Sequence, residues 1–207
     1  MKPLTARLIP SAALLLLLSV TAGAQETIVA IRHAEKPSAG LGQLNCQGLN
    51  RALALPQVLI PRYGRPAAIF APDPAEQVNE HSRTEYSYVR PLITIEPTAI
   101  ALGIPVNAQI GFTDIIRLQE AVTAPAYAHS LVYIAWEHGL LNRFAQQMLS
   151  SYGKDPSAVP DWPNSDYDRI YVFKITAGSE GKPQLTFSIE HEGLNGRLSD
   201  TCPAPKP

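Results

Sequence analysis

The chain has 207 residues, with 17 basic and 18 acidic side chains, a formal charge of −1 and two cysteines. This balance, with no basic run, gives nucleic-acid binding or adhesion to anionic membranes no support.

The first element in chain order is a targeting segment. Lys2 and Arg7 precede an apolar stretch from Ala12 to Val20, and Ala22-Gly23-Ala24 follows with small residues. This three-part layout predicts a signal peptide cleaved after Ala24, and so a secreted or periplasmic protein. The apolar run falls short of the roughly 20 residues of a membrane-spanning helix, so no stable span is expected after cleavage. Residues 25–207 are then expected to form one domain. An exported setting favours a disulfide between Cys46 and Cys202 over two free thiols.

Thr27 to Ile31 is a β-branched run read as a buried strand. It stops abruptly at the polar Arg32-His33-Ala34-Glu35-Lys36-Pro37. Cys46 to Ile60 reads as a helix that Pro56 breaks or kinks, and residues 66–71 as a second strand leaving through Pro72-Asp73-Pro74. Residues 73–89 are polar and end in aromatics at Tyr86 and Tyr88. A helix is expected over 90–102, despite Pro91 and Pro97, with Gly103 as its cap. Ile104-Pro105-Val106 begins a short edge strand, and Thr113 to Val122 reads as an amphipathic helix. Leu131 to Trp136 is a strong buried strand, followed by Glu137-His138-Gly139 and a helix over 140–152. A loop over 154–168 carries Trp162 and Tyr167, which either pack on their own domain or line a lid. Strands over 169–175 and 184–189 close the chain. The alternation of strands and helices predicts an α/β fold, a mostly parallel sheet covered on both faces.

Two strands thus end in histidine, at His33 and His138. In a parallel sheet both emerge at the same edge, where open α/β sheets place their chemistry. His81, His129 and His191 have no comparable setting, and no set of ligands with zinc spacing is visible.

Arg32-His33-Ala34-Glu35-Lys36-Pro37 after a strand resembles the Arg-His-Gly motif of the histidine phosphatase superfamily, the phosphoglycerate mutase-like proteins. Leu44-x-x-x-Gly48-x-x-Arg51-Ala52, Arg90-x-x-x-Thr94-x-x-Pro97, Trp136-Glu137-His138-Gly139 and Tyr167-Asp168-Arg169-Ile170-Tyr171 resemble further blocks of that superfamily, in the same order. The resemblance runs from about residue 27 to 175. It implies a three-layer α/β/α sandwich and hydrolysis of a small phosphate monoester without a metal or other cofactor.

In that reading Arg32 and Arg90 hold the phosphate with planar guanidinium forks. His33 attacks phosphorus to give a phosphohistidine, its other ring nitrogen held by a backbone carbonyl. His138 donates to the phosphoryl oxygens. The proton donor to the leaving alcohol falls to Glu137 first, with Glu35, Asp73, Glu76 and Glu80 as alternatives. Arg83 either joins the pocket or replaces Arg90. Lys36 reads as a charge at the pocket rim. Ala34 stands where the superfamily more often has glycine, and a positive backbone dihedral at this position would disfavour the alanine. A ligand-binding protein with weak turnover and a phosphomutase are the alternative functions, and export argues against the second. Residues 73–89 and 154–168 are expected to set specificity.

Overall fold

The computed structural model describes residues 25–79, 84–178 and 181–204. The expected signal peptide and its cleavage site, together with Glu80, His81 and Arg83, lie outside the described residues.

Six strands form the main sheet: β1 (Glu26–Arg32), β2 (Ala68–Pro72), β5 (Val106–Ile110), β6 (Leu131–Trp136), β7 (Arg169–Ala177) and β8 (Pro183–His191). Their spatial order is β5-β2-β6-β1-β7-β8. The first four run parallel, and β7 and β8 join antiparallel to them. The sheet is therefore mostly parallel, as the alternation of elements predicted. β1 is central, bonded to β6 on one side and β7 on the other. That placement is why its run of Thr, Ile and Val is apolar throughout rather than alternating.

The two faces of each strand feed two cores. Ile28, Ala30, Val132 and Ile134 pack with Leu118 and Val122 of α3 (Ile115–Val122), and with Leu141, Phe144 and Met148 of α4 (His138–Ser151). Val29, Ile31, Ile69 and Tyr133 pack with Leu55 and Leu59 of α1 (Cys46–Tyr63), and with Ile95 and Ala99 of α2 (Arg90–Leu102). Two helices on each face make a three-layer α/β/α sandwich.

Several boundaries differ from those expected. α1 runs through both Pro56 and Pro61 to Tyr63; its buried stripe of Ala52, Leu55 and Leu59 continues across Pro56. α3 begins at Ile115 because Asp114 caps it, accepting the Arg117 N–H. α4 begins two residues earlier than its apolar pattern, since Glu137 is its cap. Pro91 sits in the first turn of α2, where its missing N–H costs nothing. The polar stretch after Asp73 contains a small hairpin, β3 (Gln77–Val78) and β4 (Tyr86–Ser87), that polar composition concealed.

Among the described residues, no helix is long and apolar enough to cross a membrane. Cys46 and Cys202 form a disulfide, with Cα atoms 4.5 Å apart. Asn50 of α1 donates to the carbonyls of Ser199 and Thr201, at 2.9 Å each. The tail is thus seated along the first helix.

Candidate active site

Arg32 lies directly opposite Trp136 in the β1–β6 register. The two strands therefore release His33 and His138 side by side at the carboxyl edge of the sheet. The His33 N–H continues the ladder by donating to the Trp136 carbonyl at 2.8 Å. A cleft of about 340 Å³ opens there, lined by Arg32, His33, Lys36, Glu137, His138, Asn164 and Tyr167.

His33 is 2% exposed. Its Nδ1 lies 2.8 Å from the Ala34 carbonyl oxygen, so Nδ1 carries a proton and Nε2 keeps its lone pair. Burial, and then the charge of Arg90, hold its pKa well below the usual histidine value. The ring is neutral at pH 7, the form a nucleophile needs.

Arg32 is fixed from the far side of the cleft. Its Nη1 donates to the carbonyls of Asn164 (2.7 Å) and Asp166 (2.9 Å). Its guanidinium carbon lies 3.9 Å from the centre of the Tyr167 ring. The loop over residues 154–168 thus builds the site through backbone carbonyls and one aromatic face. Of the two aromatics expected there, Tyr167 lines the cleft. Trp162 is buried instead, its ring centre 4.6 Å from that of Tyr171 and its Nε1 donating to the Asp166 carbonyl.

Arg90 is fully buried and does not line the open cleft. It sits over Tyr88, 4.7 Å from the ring centre, and acts on His33 through its charge. Gly42 sets this corner. Its carbonyl accepts the N–H groups of Val89 and Arg90. Its own φ is +70°, and a Cβ there would run into the Ser87 carbonyl.

Thr94, one turn along α2, was legible only as part of a motif. Its hydroxyl accepts the Ala34 N–H at 2.9 Å and donates to the Arg90 carbonyl at 2.8 Å. Tyr88, 1% exposed, meets the His33 ring edge-on and was visible beforehand only as an aromatic. Ala34 is fully buried. Its φ is not positive, His129 being the one non-glycine with positive φ among the described residues. Alanine is therefore unstrained at this position.

The acidic residues sort by partner. Glu137 caps α4, its Oε2 accepting the Leu140 N–H at 2.8 Å, and its Oε1 lies 2.5 Å from His138 Nδ1. Burial works to raise its pKa, but the His138 ring and the N–H groups of Gly139 and Leu140 outweigh that and hold it at about 2. These contacts favour its carboxylate form at neutral pH. Glu35 faces away from the cleft, paired with Arg51 through Nε and Nη2. Asp73 accepts the Ala75 N–H and Glu76 the Phe112 N–H, at 2.8 and 3.0 Å.

Beneath the His33 loop lies a buried ionic cluster that sequence reasoning missed. Arg51, fully buried, meets Glu35 at 2.7 Å, Glu192 at 2.5 Å and Asp168 at 3.5 Å. Asp168 also accepts the N–H groups of Gly193, Leu194 and Asn195. Gly48 lets α1 approach this loop, since a Cβ there would overlap the Glu35 carbonyl. Among the described residues, no group of three or more His, Cys, Asp or Glu side chains is arranged to hold a metal ion.

No family model and no curated protein matches the sequence. Solved structures do match the fold. One is a Nakamurella multipartitia protein provisionally assigned as the phosphohistidine phosphatase SixA. It is 18% identical, with 81% of this chain and 96% of that chain covered and a TM-score of 0.53. Mycobacterial hydrolase 2 is 10% identical over 79% of this chain and 89% of its own, with a TM-score of 0.54. Mycobacterial hydrolase 1 is 11% identical over 79% and 97%, with a TM-score of 0.52. The fold is the phosphoglycerate mutase-like α/β/α sandwich.

Proposed function

We propose that the cleft is the active site of an exported phosphatase that hydrolyses phosphate monoesters through a phosphohistidine at His33, without a metal. One observation carries this reading. The His33 ring is neutral, with Nδ1 tied to the Ala34 carbonyl, and it shares the cleft with Arg32 and His138. Phosphoryl transfer asks mainly for positioning and charge neutralisation, and these groups can supply both.

Each residue then has a task. Arg32, already anchored, binds phosphoryl oxygens without first having to order its side chain. Arg90 adds positive charge behind the nucleophile and keeps it unprotonated. His138 faces the phosphoryl group from the start of α4, where the helix N-terminus also favours an anion. Lys36 and Tyr167 border the ester's organic part. Fold likeness to a structure assigned as a phosphohistidine phosphatase supports the class of chemistry by analogy alone.

Export is supported by the layout of residues 1–24 and by the Cys46–Cys202 disulfide, a bond suited to an oxidising compartment.

The test is phosphate release from a panel of monoesters in the presence of a chelator. The wild-type protein is expected to turn over and to trap an acid-labile phosphoenzyme, and His33→Ala to do neither. Undiminished release by His33→Ala would overturn the assignment.

A further inference from the structure

The expected carboxylic acid donor is displaced by what the cleft holds. Glu137 is the acidic residue that lines it among the described residues, and each of its oxygens lies against a nitrogen. Oε2 caps the helix through the Leu140 N–H, while Oε1 lies against His138 Nδ1. The carboxylate cannot turn toward the cleft without giving up the cap. An ionised carboxylate accepts hydrogen bonds and donates none. His138 Nδ1 must therefore be its protonated neighbour, which leaves Nε2 as the ring nitrogen free to serve substrate.

We propose that Glu137 and His138 form a dyad in which His138 is the proton donor to the leaving oxygen and Glu137 the residue that positions it. The proposal rests on the phosphatase reading above. With an ester seated, the His138 ring stands between two anions, Glu137 at Nδ1 and the substrate at Nε2, and bears a proton on each nitrogen. The His33 Nε2 lone pair forms the N–P bond. The P–O bond to the leaving group breaks with its electron pair on oxygen, and His138 Nε2 gives that oxygen its proton. In the second half, water attacks phosphorus and its proton passes to His138 Nε2. The P–N bond breaks, and its electron pair returns to His33. The ring ends the cycle as it began.

This division of labour has a signature that a structural role lacks. A proton donor matters in proportion to how badly the leaving oxygen needs a proton. The experiment compares wild type with Glu137→Gln on dinitrophenyl, nitrophenyl, phenyl and alkyl phosphates. The expected result is a loss in kcat/KM on the alkyl ester at least tenfold greater than on the dinitrophenyl ester. Glu137→Ser, which keeps a cap oxygen for Leu140 but places no carboxylate at His138, is expected to show the same slope. A uniform loss across the series, or no loss, overturns the dyad while leaving the phosphatase reading intact. A wild-type protein inert on every ester overturns that reading, and the dyad with it.

Discussion

Ala34 donates its backbone N–H to the Thr94 hydroxyl at 2.9 Å, and so joins the loop after His33 to the helix that carries Arg90. Because the same hydroxyl donates to the Arg90 carbonyl, His33 and Arg90 are set relative to each other through one side chain. Thr94→Val keeps the shape and removes both bonds, leaving a buried N–H without an acceptor. The expected cost is about 1–3 kcal/mol of stability and a clear fall in kcat/KM. Thr94→Ser should restore most of both. Denaturant titration and steady-state kinetics on the two variants check this.

His33 is expected to stay neutral well below the pH at which an ordinary histidine protonates, because burial and Arg90 disfavour the charged ring. The sign follows from linkage. Between the ordinary histidine pKa and the lower folded one, the unfolded chain binds a proton that the folded chain does not, so acid weakens the fold in that window. The His33 ring resonances should not titrate across pH 6 to 7. Arg90→Met should move their titration upward. A His33 ring that titrates normally in the wild type would contradict the neutral nucleophile.

Glu192 has the opposite sign. Burial pushes its carboxyl up to about 8, helped by Asp168 and Glu35 and opposed by Arg51. The folded chain then holds a proton that the unfolded chain releases above the ordinary carboxyl range. Stability should fall as pH rises from about 4.5 toward 8. Glu192→Gln, which cannot ionise and keeps an oxygen for Arg51, should flatten that slope and raise the melting temperature at pH 8 relative to wild type. Thermal melts of both proteins from pH 5 to 8.5 provide the comparison.

The disulfide closes a separation of 156 residues. In the chain-entropy model such a loop is worth about 5 kcal/mol. Cys202→Ser with Cys46→Ser should lower unfolding free energy by an amount of that order. Unfolding in denaturant, with and without reductant, is the measurement, and the double variant should show no further response to reductant.

The strands and the two strand-end histidines were legible because their signals are local. A β-branched run that stops at a polar dipeptide can be read from five or six residues, and β1 and β6 each have one. The helix starts at Ile115 and His138 were less legible, because the cap at Asp114 or Glu137 decides them rather than the apolar stripe. The partners of Arg32 are backbone carbonyls more than 130 residues away, and a carbonyl leaves no trace in composition. Arg51 read as part of a helix-start motif. Its three acidic partners come from positions 35, 168 and 192, which no spacing rule connects. Glu137 precedes His138 in the sequence, but its ionisation depends on N–H groups at the helix start that a one-dimensional reading does not weigh.

The ionic cluster at Arg51 also has a temporal meaning. Glu35 stands two residues beyond His33, yet the groups that hold its partner arrive with Asp168, Glu192 and Asn195, and the bond that seals the tail waits for Cys202. A nascent chain can pair the central strands long before it has these residues. The loop that carries His33 therefore acquires its support only after residues 168 to 202 have been made, well after the central strands in chain order.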